Sequence, residues 1–213
     1  MILATKNPHK VAEIRLILAG LPVEVCSLAD LGVELSLPEE ADTYAGNARS
    51  KAVAVATRCR TWALADDSGL EVDALGGGPG VRSHRFSGPE AGDRDNISLL
   101  LSRLAGVPPS GRTARFRAAA VLCSPRGEVW VAEGRWEGFI ATGPRGTGGF
   151  GYDPVFIPRV PHWQGTVAEM EPATKAVFSH RGQAVRALLP ALRALVCRAF
   201  PVHPQLPASP VPP

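Results

Sequence analysis

Apolar positions in the first hundred residues alternate between short continuous runs and helical spacing. The run at 2–5 predicts a buried strand, and Pro8 opens a helix in which Val11, Ile14 and Leu18 recur on one face. The same pattern then predicts, in order, a strand at 23–26, a helix at 43–60, a short apolar run at 62–65, a strand at 70–75 and a helix at 93–104 capped by Asp93. Helices that follow strands in this way are typical of an α/β protein.

The middle of the chain carries hairpin signals instead. Strands are predicted at 115–123 and 128–133, joined by the turn residues 124–127. The remaining predicted elements are glycine-rich loops at 76–80 and 142–151, strands at 134–140 and 155–157, and a final helix at 179–199 capped by Ser179. Interleaved helices and strands followed by hairpins predict an α/β fold with a mixed β-sheet in two lobes.

No linker or internal repeat divides the chain. We therefore predict a single domain of two lobes over residues 1–199. Residues 200–213 contain six prolines, a composition that can neither form a helix nor bury a face. This tail is predicted to be disordered.

Composition and charge exclude several classes of function. The 213 residues are 45% apolar and carry a net charge of +3, too small for a non-specific nucleic-acid binder. No apolar stretch approaches the ~20 residues of a membrane span, and the apolar start is too short for a signal peptide. The four cysteines are far apart without a C-x-x-C pair, which favours the reduced thiols of a cytoplasmic protein. We expect neither nucleic-acid nor membrane partners.

The loop between the first strand and the first helix is the first candidate site. Its residues 5–10 carry a hydroxyl, an amide and two of the four lysines in the chain, Lys6 and Lys10. Free amides and the helix dipole favour an anion at such a junction, although the glycines of a P-loop are missing. An ordinary polar turn is the alternative.

Paired carboxylates form the second candidate. Asp66 and Asp67 follow an apolar run and would repel each other without a cation, and Mg²⁺ takes one or two carboxylates together with phosphates. A turn or helix cap built from residues 66–69 is the alternative. Glu39 or Glu40 could add an oxygen ligand, or both could be surface charges. Lys51 lies two helical turns beyond Thr43, so both could face one site.

A glycine-rich loop with one aromatic ring is the third candidate. In residues 148–154 glycines flank Phe150, which allows close backbone approach while the ring offers a stacking face. A core aromatic in a tight turn is the alternative. Lys175 and the segment 179–181 add cations and hydrogen-bonding groups, and a guanidinium suits a purine with a keto oxygen at position 6.

These blocks together resemble the inosine triphosphate pyrophosphatase family, which hydrolyses deaminated purine nucleoside triphosphates to the monophosphate and pyrophosphate. The resemblance spans residues 2 to about 195. It rests on six ordered blocks: Leu3-Ala4-Thr5 with Asn7 and Lys10, Asn47-Ala48 with Lys51-Ala52, Ala65 to Leu70, Pro79-Gly80-Val81 with Ser83 and Arg85, Gly148 to Pro154, and Ala168-Glu169 followed by Ser179-His180-Arg181. It implies an elongated mixed sheet with two lobes around a central nucleotide-binding cleft.

The resemblance also implies roles for single residues. Asp67 would accept a proton and bind metal, with Glu39 and Asp66 as the other metal-binding carboxylates. The implied cofactor is Mg²⁺, with Mn²⁺ as the alternative ion, and the implied assembly is a homodimer. The implied substrate-binding residues are Thr5, Lys6, Asn7, Pro8, His9 and Lys10 for the triphosphate, Lys51 and Ser68 beside it, Phe150, Gly151, Tyr152 and Asp153 for base and sugar, and Lys175, His180 and Arg181 for the base.

Three positions depart from the family pattern. Residues 39–44 differ from the usual Glu-x-Gly before Thr-Phe. Either Glu39 or Glu40 could therefore be the metal-binding carboxylate. Gly46 stands where Glu is frequent, and His84 stands where Ala is frequent. None of these removes a proposed catalytic group. A regulator that binds purine nucleotides without hydrolysing them is the alternative function, but it has no evident use for the carboxylates.

Overall fold

The computed structural model describes residues 1–193. A six-stranded mixed sheet has the strand order β2-β1-β3-β4-β5-β6. The strands are β1 (Ile2–Leu3), β2 (Cys26–Ser27), β3 (Ala63–Val72), β4 (Thr113–Cys123), β5 (Val129–Ile140) and β6 (Phe156–Pro158). β1 pairs in parallel with β2 and β3, and the remaining pairs are antiparallel. The predicted mixed sheet is confirmed.

Within residues 1–193, the helices that flank the sheet are α1 (Pro8–Ile17), α2 (Tyr44–Cys59), α3 (Asp93–Arg103), α4 (Pro172–Phe178) and α5 (His180–Ala187). α2 matches its prediction because its ends are defined locally: the Thr43 hydroxyl accepts a hydrogen bond from the Gly46 amide at 3.1 Å, and Arg60 ends the helix in the left-handed conformation. α4 was not predicted.

Several predicted boundaries are wrong. The strand expected at 23–26 is displaced to β2, because turn hydrogen bonds from Leu21 and Val23 hold the preceding chain. The expected strand at 134–140 continues β5 without a break. Gly92 rather than Asp93 caps α3, and the Asp93 carboxylate accepts a hydrogen bond from the Gly151 amide at 2.7 Å. α5 ends before Leu188, residues 189–193 are again helical, and the rest of the predicted final helix lies outside the described residues, as does the proline-rich tail.

β3 decides the position of the site. The apolar run at 62–65 and the first part of the strand predicted at 70–75 belong to one continuous strand, because β4 pairs with it from Ala63 to Val72, whereas residues 73–75 form a short 3-10 helix. The turn or helix cap considered for residues 66–69 is therefore wrong. β1 pairs only with the first two residues of β3. Beyond that point β3 has a strand partner on one side only, and its residues 67–70 line a cavity.

Three apolar clusters define the two lobes. One face of the first half of the sheet packs on α1 and α5 through Leu3, Ile14 and Val185. The opposite face packs on α2 through its predicted apolar side, represented by Ala52 and Val55. The second half of the sheet has its own core with α3. No helix in the described part of the chain is long and apolar enough to cross a membrane.

Candidate active site

A cavity of about 570 Å³ lies between the two lobes. Most residues expected at the site line it: Thr5, Lys6, Asn7, Lys10, Glu39, Lys51, Asp67, Ser68, Phe150, Gly151, Tyr152, Asp153, Lys175, His180 and Arg181. Pro8, His9 and Asp66 do not line it. The fold therefore brings together residues from the beginning, middle and end of the sequence.

The loop before α1 is organised by side chains. The Thr5 hydroxyl accepts a hydrogen bond from the Asn7 amide at 3.2 Å, and the Asn7 side chain accepts from the amides of His9 and Lys10 at 2.9 and 3.3 Å. These amides are thus not free for an anion, contrary to the expectation from the sequence. Lys6 and Lys10 of this segment line the cavity and supply positive charge beside it.

Two carboxylates converge on one buried lysine. Lys51 is 3% exposed and its Nζ donates to Asp67 at 2.8 Å and to Glu39 at 3.0 Å. Burial disfavours the charged ammonium, but Asp67 and Glu39 outweigh it and raise the pKa of Lys51. The other Asp67 oxygen accepts from the Asn47 amide group at 3.1 Å. Lys51 therefore holds the two carboxylates together at one end of the cavity.

Glu39 rather than Glu40 faces the cavity. Its carboxylate is 43% exposed, and its second oxygen lies 3.8 Å from Arg85. Burial tends to raise the pKa of Glu39, but Lys51 outweighs it and leaves this pKa below the ordinary value. Thr43 does not share this site, because its hydroxyl caps α2.

Asp66 points away from Asp67. Successive side chains of a strand lie on opposite faces of the sheet, so the two adjacent carboxylates have separate cations. Asp66 accepts from Arg181 Nε at 2.9 Å and lies 3.2 Å from Lys10 Nζ. Burial alone would raise the pKa of Asp66, but Arg181 and Lys10 hold it well below the ordinary value. The repulsion inferred from the sequence is thus absent, and Asp66 positions Arg181 instead of facing Glu39.

The opposite end of the cavity is formed by the glycine-rich loop. Asp153 accepts from the Phe150 amide at 2.9 Å and from Lys175, and the Tyr152 hydroxyl donates to the Ser83 carbonyl at 2.8 Å. Gly149 has a positive φ of 71°, and a Cβ there would lie 2.0 Å from Asp153. This tight turn presents the Phe150 ring to the cavity, so Phe150 is not a core aromatic.

His180 contributes a neutral imidazole. The ring is 4% exposed and stacks on Phe116 with centroids 4.7 Å apart. Burial, reinforced by the charges of Arg181 and Lys175, places the pKa of His180 well below its usual value. Its Nδ1 is buried and has no hydrogen-bond partner among the described residues. Packing on Phe116, rather than a hydrogen bond from Nδ1, therefore holds this ring.

Glu13 is the main residue that sequence reasoning missed. It accepts from Lys175 at 2.6 Å and also from Arg181, so one carboxylate joins the two cations of this end. Glu13 lies one helical turn beyond Lys10, so the two side chains share one face of α1. This spacing is the feature of the sequence that could have placed Glu13 at the site. Each of the three nitrogens of Arg181 donates a hydrogen bond within the protein, with Nε bonded to Asp66 at 2.9 Å and Nη2 bonded to Ser68 at 2.8 Å.

The fold and this cleft define a mixed α/β protein of the nucleotide-binding class. Cations and carboxylates at one end suit phosphates, and an aromatic ring with hydrogen-bonding groups at the other suits a base. The sequence model of the Ham1 family matches residues 1–191. The chain belongs to the Ham1 family.

Individual relatives agree along nearly their full length. A protein from Exiguobacterium sp. named dITP/XTP pyrophosphatase is 49% identical over 188 residues, covering 88% of this chain and 94% of the relative. The Mycobacterium tuberculosis protein of the same name is 46% identical, covering 92% and 96%. Among solved structures, a HAM1 protein from Coxiella burnetii superposes with a TM-score of 0.79 at 38% identity, covering 91% of this chain and 98% of that one. The dITP/XTP pyrophosphatase from Mycobacterium abscessus gives 0.68 at 44% identity, covering 89% and 98%.

Proposed function

We propose that this protein hydrolyses the deaminated purine nucleoside triphosphates ITP, dITP and XTP to the nucleoside monophosphate and pyrophosphate. Such a reaction keeps these nucleotides out of DNA and RNA. The observation that carries the proposal is the single cleft that joins the Lys51, Glu39 and Asp67 cluster to the Phe150 and His180 end. The names of the relatives, dITP/XTP pyrophosphatase, support the same reaction.

A divalent metal, Mg²⁺ or alternatively Mn²⁺, fits the carboxylate end. Within residues 1–193 no group of three or more His, Cys, Asp or Glu side chains could hold a metal alone. Mg²⁺ characteristically uses one or two carboxylates and completes its shell with water and substrate phosphates. Glu39 and Asp67, both oxygen donors held by Lys51, would bind it. The bound ion would offset charge on the phosphates.

Asp67 accepts the proton of the attacking water in this proposal. The water oxygen bonds to the α-phosphorus while the bond to the oxygen bridging the α- and β-phosphates breaks, and pyrophosphate leaves. Lys51 and Asn47 hold the Asp67 carboxylate in place. Lys6 and Lys10 contact phosphate oxygens and neutralise part of the developing charge.

Selectivity for deaminated purines follows from the hydrogen-bond pattern of the base. Hypoxanthine and xanthine present a keto oxygen at position 6 and an N–H at position 1, whereas adenine presents the opposite pattern. A pocket whose buried polar groups are satisfied only by the keto form rejects adenine strongly. Lys175, His180 and Arg181, which line the cavity, are the polar residues that would contact the base. Phe150 supplies the stacking face, with Lys175 and Arg181 beside it.

Assembly and location belong to the same proposal. We infer a homodimer, which is supported by large apolar side chains that are exposed in one copy: Leu16, Leu31, Trp130, Val131, Val177 and Phe178. We infer a cytoplasmic location, which is supported by the free thiols of Cys26, Cys59 and Cys123.

The proposal is tested by incubating purified protein with ITP or ATP, in Mg²⁺ or in EDTA, and separating the products by chromatography. We expect metal-dependent IMP and pyrophosphate from ITP and little product from ATP. IDP with orthophosphate would move the cleavage to another bond and contradict the mechanism. Tight ITP binding without turnover would instead favour a non-catalytic nucleotide-binding regulator.

A further inference from the structure

His9 and Phe150 stack across the mouth of the cleft. Their ring centroids lie 5.2 Å apart with an angle of 12° between the planes. His9 belongs to the start of α1 in one lobe, and Phe150 belongs to the glycine-rich loop of the other. This contact therefore joins the segment assigned to the triphosphate with the segment assigned to the base.

Hydrogen bonds of the backbone order the two segments that carry these rings, independently of the stack. The His9 amide donates to Asn7 Oδ1 at 2.9 Å, which fixes the first turn of α1. The Phe150 amide donates to Asp153, whose carboxylate is in turn bonded to Lys175. The two rings thus meet because both loops are already ordered, and the stack adds a restraint on the orientation of Phe150.

The two rings have different relations to the cavity. Phe150 lines it, and the cations of Lys175 and Arg181 lie 4.9 and 5.6 Å from the centre of its ring. His9 does not line the cavity, whereas its loop neighbours Lys6 and Lys10 do. His9 therefore contacts Phe150 from outside the cavity wall and lacks the access to phosphates that its neighbours have.

We propose that His9 is a positioning residue for base binding, which orients the Phe150 ring, and that it does not hold the triphosphate. The inference rests on the proposed function and deepens it, because it assigns one residue of the phosphate loop to the base end of the site. Stacking in an aromatic pair of this kind stabilises the arrangement by about 0.5–1.5 kcal/mol. This free energy corresponds to a change of about 2- to 12-fold in an equilibrium constant.

The test separates the two ends of the nucleotide. Isothermal titration calorimetry measures the affinities of IMP and of pyrophosphate, each with Mg²⁺, for wild type, His9→Ala, His9→Phe and Lys6→Ala. For His9→Ala we expect IMP affinity to fall by about 3- to 10-fold, with a matching rise in KM for ITP, and little change for pyrophosphate. His9→Phe keeps an aromatic ring and restores IMP affinity. Lys6→Ala, the matched control, weakens pyrophosphate more than IMP.

Other outcomes overturn the inference. If His9→Ala weakens pyrophosphate as much as IMP, or leaves IMP affinity unchanged, His9 does not act through the base. If His9→Phe behaves like His9→Ala, stacking is not the interaction that matters. Failure of the wild type to bind either IMP or pyrophosphate is a different result, because it contradicts the proposed function itself.

Discussion

At the scale of single residues, the alternation of side chains along β3 separates two adjacent carboxylates. Asp67 faces α2 and the cavity, where Lys51 and Asn47 bind it. Asp66 faces α1 and α5, where Lys10 and Arg181 bind it. Neighbours in the sequence therefore have different tasks, one in the proposed chemistry and one in positioning a buried arginine.

Replacement of the proposed proton acceptor tests its role directly. In Asp67→Asn the shape of the side chain is kept while its basicity is lost, so we expect turnover of ITP to fall by about 10²- to 10⁴-fold. Nucleotide binding should persist, because Lys6, Lys10 and Phe150 are untouched. Rates of pyrophosphate release and calorimetric binding of ITP measure the two properties. A turnover rate near that of the wild type would remove Asp67 from the mechanism.

Two tyrosine hydroxyls form a matched pair for stability. The Tyr44 hydroxyl is buried, and no atom of the described residues lies in good hydrogen-bonding geometry to it; burial, reinforced by the neighbouring Glu71 carboxylate, raises its pKa. A buried, unsatisfied polar group costs about 1–3 kcal/mol, so Tyr44→Phe should raise Tm by about 2–12 °C.

Tyr152→Phe is the control for this change. Its hydroxyl donates to the Ser83 carbonyl at 2.8 Å, and the substitution removes this buried hydrogen bond. We therefore expect Tm to fall for Tyr152→Phe in the same calorimetric series. Equal shifts for the two variants would show that hydrogen-bond satisfaction does not distinguish the two positions.

At the scale of elements, the start of α5 determines where two site residues lie. The Ser179 hydroxyl accepts from the Gly182 amide at 3.0 Å and begins the helix just before His180 and Arg181. The helix then crosses β5 so closely that a Cβ on Gly134 would lie 2.0 Å from the His180 carbonyl oxygen. A residue in a strand of the sheet thus fixes the depth of the base pocket.

Gly134→Ala should therefore affect both stability and activity. The added methyl group collides with backbone, and such overpacking costs about 1–3 kcal/mol, which lowers Tm by several degrees. Because α5 carries His180 and Arg181, its displacement should also lower kcat/KM for ITP by about 10-fold or more.

Gly143→Ala serves as the control for this effect, since a Cβ there meets nothing within 4 Å. Thermal unfolding and steady-state kinetics are measured for both variants. An unchanged kcat/KM in Gly134→Ala would mean that the position of α5 is not set by this contact.

At the scale of the whole molecule, buried ion pairs connect the two lobes beneath the cavity. The network consists of Lys10, Glu13, Asp66, Asp153, Lys175 and Arg181. Arg181 and Lys175 outweigh burial and lower the pKa of Glu13, whereas burial dominates for Asp153 and raises its pKa. His180 lies among these charges and stays neutral because of burial.

His180 makes stability depend on pH above the range in which carboxylates titrate. The unfolded chain takes up a proton at this histidine below about pH 6.5, whereas the folded protein does so only at a lower pH because its pKa is lowered. Stability from this group is thus complete above about pH 6.5 and is lost as pH falls from there towards the lowered folded pKa. Glu13 and Asp66 lose their contribution only below about pH 4.

We expect this effect to appear between pH 7.5 and 5.5. The loss at pH 5.5 is on the order of 1 kcal/mol, equivalent to a few degrees in Tm. His180→Phe retains the ring that stacks on Phe116 but cannot titrate, so its Tm should fall less over the same interval. Differential scanning calorimetry of both proteins at the two pH values measures this difference. An identical decrease in Tm for both proteins would mean that His180 is not responsible.

Local signals in the sequence determined much of the framework. The helices α1 and α2, the β4–β5 hairpin and the Ser179 cap are predictable because capping, apolar spacing and turn chemistry act between residues close in the chain. The motif blocks contain many of the residues that line the cavity, since each block holds side chains of the required chemistry, whereas lining residues such as Leu37, Asn96 and Phe116 lie outside every block.

Tertiary structure decided how those residues are used. The continuity of β3 depends on β4, the choice of Glu39 over Glu40 depends on Lys51, and the engagement of Arg181 depends on Asp66 and Glu13. Each of these contacts joins positions far apart in the sequence. Local patterns contain no information on which distant partner a charged or extended segment meets, because that choice is made only when the sheet and its helices pack together.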